Sequence, residues 1–468
     1  MKKRKPGKFL TMALTAIVSF TMIFGSTGFA QAASYSQTKT AFEKCGDYLY
    51  TTVKEPVYGS IGGEWVVYGL ANAGYDFTDT WLKTYVKTVE DALKTGYRGT
   101  EGILHDRKFT EYYRVIIALS AAGYDATDIG GYNLLEPLAD FVNVKWQGMN
   151  GPIWALRALD SAGYEVPKLT DDYKYGKLTD AELKDGEKEK SRQNSRQRMV
   201  DYILANQLSD GGWSLQTKAE VEEASGFAAT SDVGMTGMAM TALGPYMKQA
   251  KVKKAVAKAI TFLSKAQNKD GGFSSWGTVN SESCAQAICG LLACGVNPNT
   301  DSRFKKNGKT PIDGLMDFDD AKVGGFRHVN TASGGYEPVV NQMATEQGYY
   351  ALAHFYREAP SQTKLTKVSK VKKGSIKVNW SKAAINTDYV TKKSGKTSGV
   401  SGYQIVLATN KKFSNATKVT VSGTKTVSKT VSGLKTGKTY YVKVRAYKQT
   451  TGGSKLYGAY SAVKSCKA

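Results

Sequence analysis

Acids standing next to aromatic residues recur along this 468-residue chain: Glu64 beside Trp65, and Glu111 beside Tyr112 shortly after His105 and Asp106. Asp232, Glu282 and Glu346 stand at the starts of further apolar runs. Two carboxylates facing a shared space perform acid, base or nucleophilic work on a glycosidic bond, and aromatic faces such as Trp65, Tyr112 and Trp154 offer a sugar ring a platform. The distance between the carboxyls decides that chemistry, and spacing along the chain does not fix it. Each acid alone also suits a helix start, where negative charge complements free N–H groups.

Cys284, Cys289 and Cys294 have the look of a metal cluster until they are placed on a helix. Five-residue steps rotate by about 140° each, so the three thiols point in different directions and read as small buried residues. No metal and no cofactor is expected. Five cysteines, an odd number, argue against a complete disulfide framework. Nucleophilic hydrolysis lacks its parts: there is no Gly-x-Ser-x-Gly, and none of the three histidines neighbours a nucleophile. No glycine loop of phosphate-binding type follows a strand.

The elements that must position these residues announce themselves by repetition. "GLANAGYDFTD", "ALSAAGYDATD" and "ALDSAGYEVP" end three successive helical segments, with Gly74, Gly123 and Gly163 where a left-handed C-terminal cap requires glycine. "LLACGVNP" is a looser fourth copy. The segments "EWVVYGLANAG", "YYRVIIALSAAG", "GPIWALRALDSAG", "GMTGMAMTAL", "CAQAICGLLACG" and "QGYYALAHFY" are apolar nearly all round, so they must be buried on every side. Between them lie one-faced segments, for example Val252, Val256, Ile260 and Leu263 with lysines opposite. Alternation of buried and half-buried helices predicts an inner ring within an outer ring, a closed α/α toroid of six hairpins over residues 33–360. A charged insertion at about 166–195 reads as a solvated excursion.

Two segments, "RMVDYILANQLSDGGW" and "KAITFLSKAQNKDGGFSSW", share a Gln/Asp/Gly-Gly/aromatic ending. Gln207 and Gln267 then close outer helices, the paired glycines reverse the chain, and Phe273 and Trp276 are expected to seal the joint. With "SDVGMTGMAMTALGPY" and "NSESCAQAICGLLACGVNP", these segments resemble the prenyltransferase/squalene-oxidase repeats of the terpenoid cyclase and protein prenyltransferase superfamily, of the kind that Gram-positive bacteria export. That resemblance implies the toroid fold and two catalytic sets to look for. The Asp-x-Asp-Asp acid of class II cyclases has a match in letters at Asp317, Asp319 and Asp320, although this run precedes "AKVGGF" and falls at an outer-helix end. The zinc set of prenyltransferases has a near match in Glu282 and Cys284, but Ala344 or Thr345 occupies the place expected for its histidine. His328 replaces it only if its loop folds inward.

After Pro360 the period changes from helical to alternating. "GSIKVNW", "GYQIVLATN", "TKTVSKTVSGL" and "TYYVKVRAY" are short strands, and Trp380 with "GLKTGKTYYVKVRA" resembles the fibronectin type III pattern, Leu434 and Tyr440 forming its tyrosine corner. The chain is therefore expected to be multidomain, an all-α toroid at 33–360 followed by an all-β fibronectin type III-like sandwich at 361–468. From residue 361 onward there are 23 Lys or Arg and one acid, Asp388, so the formal charge of +23 comes from this module and a short basic leader, and the stretch between them is slightly acidic. "MKKRKPGK", an apolar run and Ala30-Gln31-Ala32 read as a secretory signal peptide over 1–32. These features predict an exported, cell-wall-associated protein whose toroid binds an extracellular ligand or polymer and whose basic tail contacts anionic wall polymer. The alternative is an enzyme using the cavity, either cyclase-like, prenyltransferase-like or glycan-active. Nucleic acid is not an expected partner, nor is an integral membrane span.

Overall fold

The computed structural model describes residues 35–176, 192–224, 230–383 and 399–468. The signal peptide expected at 1–32 lies outside the described residues. Among them, no helix is long and apolar enough to cross a membrane.

Helices α1 (Tyr35–Thr52), α3 (Asp79–Thr95), α5 (Phe141–Lys145), α7 (Arg196–Ala205), α10 (Ala250–Ala266) and α12 (Pro311–Met316) form an outer layer. The short α8 (Lys218–Glu223) decorates it. Inside lie α2 (Glu64–Ala73), α4 (Thr110–Ala121), α6 (Asn150–Ala162), α9 (Val233–Leu243), α11 (Ser281–Ala293) and α13 (Gln342–Glu358). These coincide with the six all-round apolar segments. Their contacts run α2 to α4 to α6 to α9 to α11 to α13 and back to α2, so the ring closes. Closure leaves no inner helix with an unpartnered apolar side.

The helix ends are set as the local chemistry demands. Gly74 and Gly163 take left-handed conformations at φ 69° and 73°, and Gly123 does so at 88°. Asp232, Asn280 and Asn341 cap α9, α11 and α13 by accepting the N–H of Met235, Ser283 and Ala344. These caps, and the acids beside them, gather the starts of the inner helices at one end of the ring.

The echoed Gln/Gly-Gly segments form the same joint twice. Gln207 Nε2 donates to the carbonyls of Gly211 and Ala255, both at 2.8 Å, and Gln267 Nε2 to those of Gly271 and Phe304, both at 3.1 Å. Each amide thus ties its own turn to the next outer segment. Trp213 and Phe273 are fully buried behind the glycines. Trp276 departs from expectation: it stands at φ 52° at the tip of the hairpin β1 (Ser274–Ser275) and β2 (Thr278–Val279), 58% exposed, and seals nothing. Gln267→Ala would strand two carbonyls that are shielded from water, and we expect a loss of about 2 kcal/mol in urea unfolding. An unchanged midpoint would mean that water replaces the amide freely.

The insertion is only partly an excursion. Tyr173 and Tyr175 are buried, Tyr173 Oη donates to Pro137 O at 3.1 Å, and Asn143 Nδ2 donates to Tyr175 O at 2.7 Å. On the far side Arg192 pairs with the buried Asp140. Both described flanks therefore pack on α5, which corrects the fully solvated reading; the middle lies outside the described residues.

Past Pro360 the chain forms two sheets over one core. β5 (Leu365–Lys372), β6 (Ser375–Trp380) and β9 (Ser428–Val431) make one, while β8 (Thr417–Ser422), β7 (Gly402–Ala408), β10 (Thr439–Gln449) and β11 (Lys455–Tyr457) make the other, with β12 (Lys464–Lys467) also on β10. Trp380, Tyr403, Ile405, Val442 and Val444 lie between them. Tyr440 Oη accepts the N–H of Lys435 at 3.0 Å, fastening the loop before β10. This module is docked: Leu456 belongs to the helical core, Asn297 Nδ2 donates to Tyr457 O at 2.9 Å, and Lys448 pairs with Glu358 at 2.6 Å.

Candidate functional site

At the end where the inner helices begin, Glu64 and Glu346 are fully buried and share one loop. Glu64 accepts the N–H groups of Gly59 and Ser60 and the hydroxyl of Tyr85, and Arg114 Nε stands 3.9 Å away. Glu346 Oε1 accepts Gly62 N at 2.7 Å and Gln342 Nε2 at 2.9 Å, while its Oε2 has no partner. Burial, with the nearby charge of Glu64 adding to it, pushes the Glu346 carboxyl up to about 7. Glu64 is raised too, by burial. Glu111 sits on the rim of this group, 2.5 Å from Arg114 Nη2. Tyr112, expected among the cavity aromatics, turns elsewhere: its hydroxyl bonds to Leu104 N and His105 O, and its ring packs on Phe109 and Tyr175.

Across the same mouth, the loop before α13 does fold inward. His328 Nδ1 lies 2.7 Å from Glu282 Oε2, and Glu282 Oε1 is buried without a partner. Cys284 does not join them. It is fully buried under the Gly271–Gly272 turn, near Phe273, and burial pushes its thiol up to about 12, so it stays protonated. Ala344 is buried, and Thr345 spends its hydroxyl on Phe326. Among the described residues no three His, Cys, Asp or Glu side chains are placed to hold a metal ion. Asp232 spends one oxygen on the α9 cap and the other on the Ser275 hydroxyl.

Asp317, Asp319 and Asp320 sit outside the ring. Asp317 ends α12, and Asp319 and Asp320 form β3 (Asp319–Asp320), paired with β4 (Gly325–Phe326), which packs on the outer helix α1 and on the inner helix α13. Asp320 accepts the N–H groups of Lys322 and Val323, which hold its carboxyl below the usual range. Asp319 is raised by burial, with Asp320 adding to it.

Trp65 and Trp154 do converge, with ring centroids 5.0 Å apart, and Tyr350 lies 6.1 Å from Trp65. α2 and α6 are not neighbours in the ring, so this contact crosses the lumen. The rings pack on each other rather than standing apart around an open space. Below them the structure holds a residue that sequence reading passed over, Arg157, whose guanidinium lies 4.0 Å over Trp154. The available signal was a charge set among apolar neighbours in the middle of an inner helix.

The outer edge of the starting end is apolar in an unusual way. Val57, Ile61, Trp146, Leu215, Trp276, Val279, Tyr336, Val339 and Met343 are exposed, and every one lies in a segment leading into an inner helix or in its first turn. Two shallow hollows open among them, one at Asp232 and Trp276 and one at Thr278 and Asn330.

No protein-family model matches the sequence, and neither does any curated protein. Solved structures resembling the chain include terpene cyclase folds and fibronectin type III domains. One is ent-copalyl diphosphate synthase from Streptomyces platensis, at 20% identity and TM-score 0.37 over 62% of this chain and 49% of that one. A second is the type II terpene cyclase MstE from Scytonema, at 11% identity and TM-score 0.37 over 68% and 98%. The third is the FN1–FN3 segment of chicken CNTN1, at 27% identity and TM-score 0.17 over 23% and 32%. The chain thus spans about half of the synthase and about a third of the CNTN1 segment.

Proposed function

We propose that this is an exported binding protein: a terpenoid cyclase-like toroid that holds a glycan-containing wall polymer at the mouth where its inner helices begin, carried on a basic fibronectin type III-like module. The observation that carries this reading is the rim of that mouth. Trp146, Trp276 and Tyr336 are 43%, 58% and 53% exposed there; Trp276 shares a hollow with Asp232, and Tyr336 packs on His328, the partner of Glu282. A folded protein gains nothing from leaving such rings in water, and clustered exposed aromatics mark a contact surface. Rings flanked by acceptors suit sugars, which present apolar faces and hydroxyl edges together. The basic tail, with 23 cationic side chains, adds attraction to an anionic polymer.

The test is co-sedimentation of the full chain with purified Gram-positive cell wall. Retention lost on raising salt belongs to the tail, since exposed charge is screened. Retention that survives salt belongs to the mouth and should fall about tenfold in Trp276→Ala, equivalent to roughly 1.4 kcal/mol. Equal salt-resistant retention of the variant and the parent would remove the mouth from the reading. A glycan-active enzyme is the second reading, favoured by Glu282, which keeps one unpartnered oxygen while His328 orients the other. Release of reducing ends from the same wall, abolished in Glu282→Gln, would replace binding by catalysis.

A further inference from the structure

The opposite end of the lumen contains a second site of different chemistry. A cavity of about 300 Å³ lies among the final turns of the inner helices, below the Trp65 and Trp154 rings. Its polar lining comes from Asn72, Ser120, Arg157, Asp160, Ser161 and Arg357. Arg157 is nine-tenths buried, and its Nη1 has no hydrogen-bond partner. Among the described residues no carboxylate forms an ion pair with it. Asp160, one turn further along α6 and in the same lining, accepts through Oδ1 from Arg196 at 3.1 Å and from the Tyr246 hydroxyl at 3.2 Å, while its Oδ2 is buried without a partner. Arg357 offers Nη1 to Asn72 Oδ1 at 2.8 Å, a neutral partner.

An unpaired guanidinium buried in this way costs several kcal/mol, of which stacking on Trp154 returns about 2. Arg157 and the partly exposed Arg357 face a cavity whose lining holds one carboxylate, Asp160, already paired with Arg196, so the lining keeps an excess of positive charge. His354, next to them and 2.6 Å from the Tyr68 hydroxyl, is pushed down to about 3 by burial first and then by Arg357, Arg157 and Lys448. The imidazole is therefore neutral and does not add a third cation. The inner-helix C-termini converge here with partial negative charge, which acts against an anion. They have fixed dipoles, however, and do not satisfy the free Arg157 donor.

We propose that this cavity binds a small oxyanion, a carboxylate or phosphate, held bidentately by Arg157 and Arg357. A guanidinium fork presents parallel N–H donors that match such an anion. The tail module stands at the rim, because Lys448 donates to the carbonyl of Arg357 at 3.2 Å. Its excess of lysine steers anions toward this end.

The test is calorimetric titration of the full chain with inorganic phosphate and, separately, malonate. The expected result is a single saturable site for at least one of them, the better anion identifying the ligand type. That affinity should fall about tenfold or more in both Arg157→Met and Arg357→Gln. Removing an unpaired buried charge should leave Arg157→Met folded, and the more accessible Arg357→Gln serves if it does not. Both variants keep every cation of the tail. Equal affinity in a folded variant and in the parent would place the anion elsewhere and overturn the proposal, as would the absence of saturable binding up to roughly 10 mM.

Discussion

Gly237→Val should prevent the helical domain from folding, whereas Gly163→Ala should cost only about 1 kcal/mol. Both glycines belong to small-residue segments, and the sequence marks Gly163, at a helix end, as the one with a conformational need. Gly163 needs its left-handed φ of 73°, but a Cβ there meets nothing within 4 Å. Gly237 has an ordinary helical backbone and no space. A Cβ at Gly237 would stand 2.3 Å from the carbonyl oxygen of Gln286, and one at Gly290 would stand 2.6 Å from the carbonyl oxygen of Gly237. Here α9 and α11 touch backbone to backbone. A branched side chain must separate the helices, and separation opens the ring that all six inner helices close. Overpacking of a well-packed core costs up to about 3 kcal/mol even where side chains yield; here the opposing atoms are backbone and cannot yield. Circular dichroism and thermal melting of the two variants give the comparison. A Gly237→Val protein melting near the parent would show that α9 and α11 are free to move apart.

The same pair of helices shows what was legible in the sequence and what was not. Burial of α9 and α11 follows from "GMTGMAMTAL" and "CAQAICGLLACG", since neither segment has a polar face to turn outward. The order of the ring follows from the order of the chain, given short connections. The bracket at Gln267 was legible because its partner at Gln207 repeats it. Which glycines carry the closest contact was not legible, because that depends on the crossing of two helices. The site divides in the same way. Acids at helix starts were visible one by one, but their grouping depends on loops. Glu64 and Glu346 are far apart in sequence and meet because α13 closes the ring on α2, where both acids hold the Gly59 to Gly62 loop. His328 reaches Glu282 only because its loop crosses back over α11, placing Ser281 N 3.1 Å from His328 O. Arg157 stood in plain view in "GPIWALRALDSAG" as one charge among apolar neighbours, and its meaning required knowing that the helix is inner.

Glu346→Gln should stabilise the protein above pH 7 by about 3 kcal/mol and change little at pH 4, which makes it a measure of how the mouth is held together. In the folded state burial raises the Glu346 carboxyl to about 7, while the unfolded chain leaves it near 4.5. The folded state therefore keeps a proton that the unfolded state has lost between those values. Stability from this group is complete below pH 4.5, declines as pH rises, and is gone above pH 7, the total following from about 1.4 kcal/mol per unit. Glutamine retains a carbonyl oxygen for Gly62 N and carries no charge, so the variant escapes the decline. It also faces Glu64 without repulsion. His354 works in the opposite sense, since its neutral folded form loses stability as pH falls below about 6.5. It is present in both proteins and cancels in their difference. Urea unfolding of parent and variant from pH 4 to 8.5 should thus give a difference that rises with a midpoint between 4.5 and about 7. A flat difference would mean that Glu346 ionises as freely in the fold as outside it, and that its grip on the Gly59 to Gly62 loop, with Ile61 exposed at the mouth, is independent of its proton.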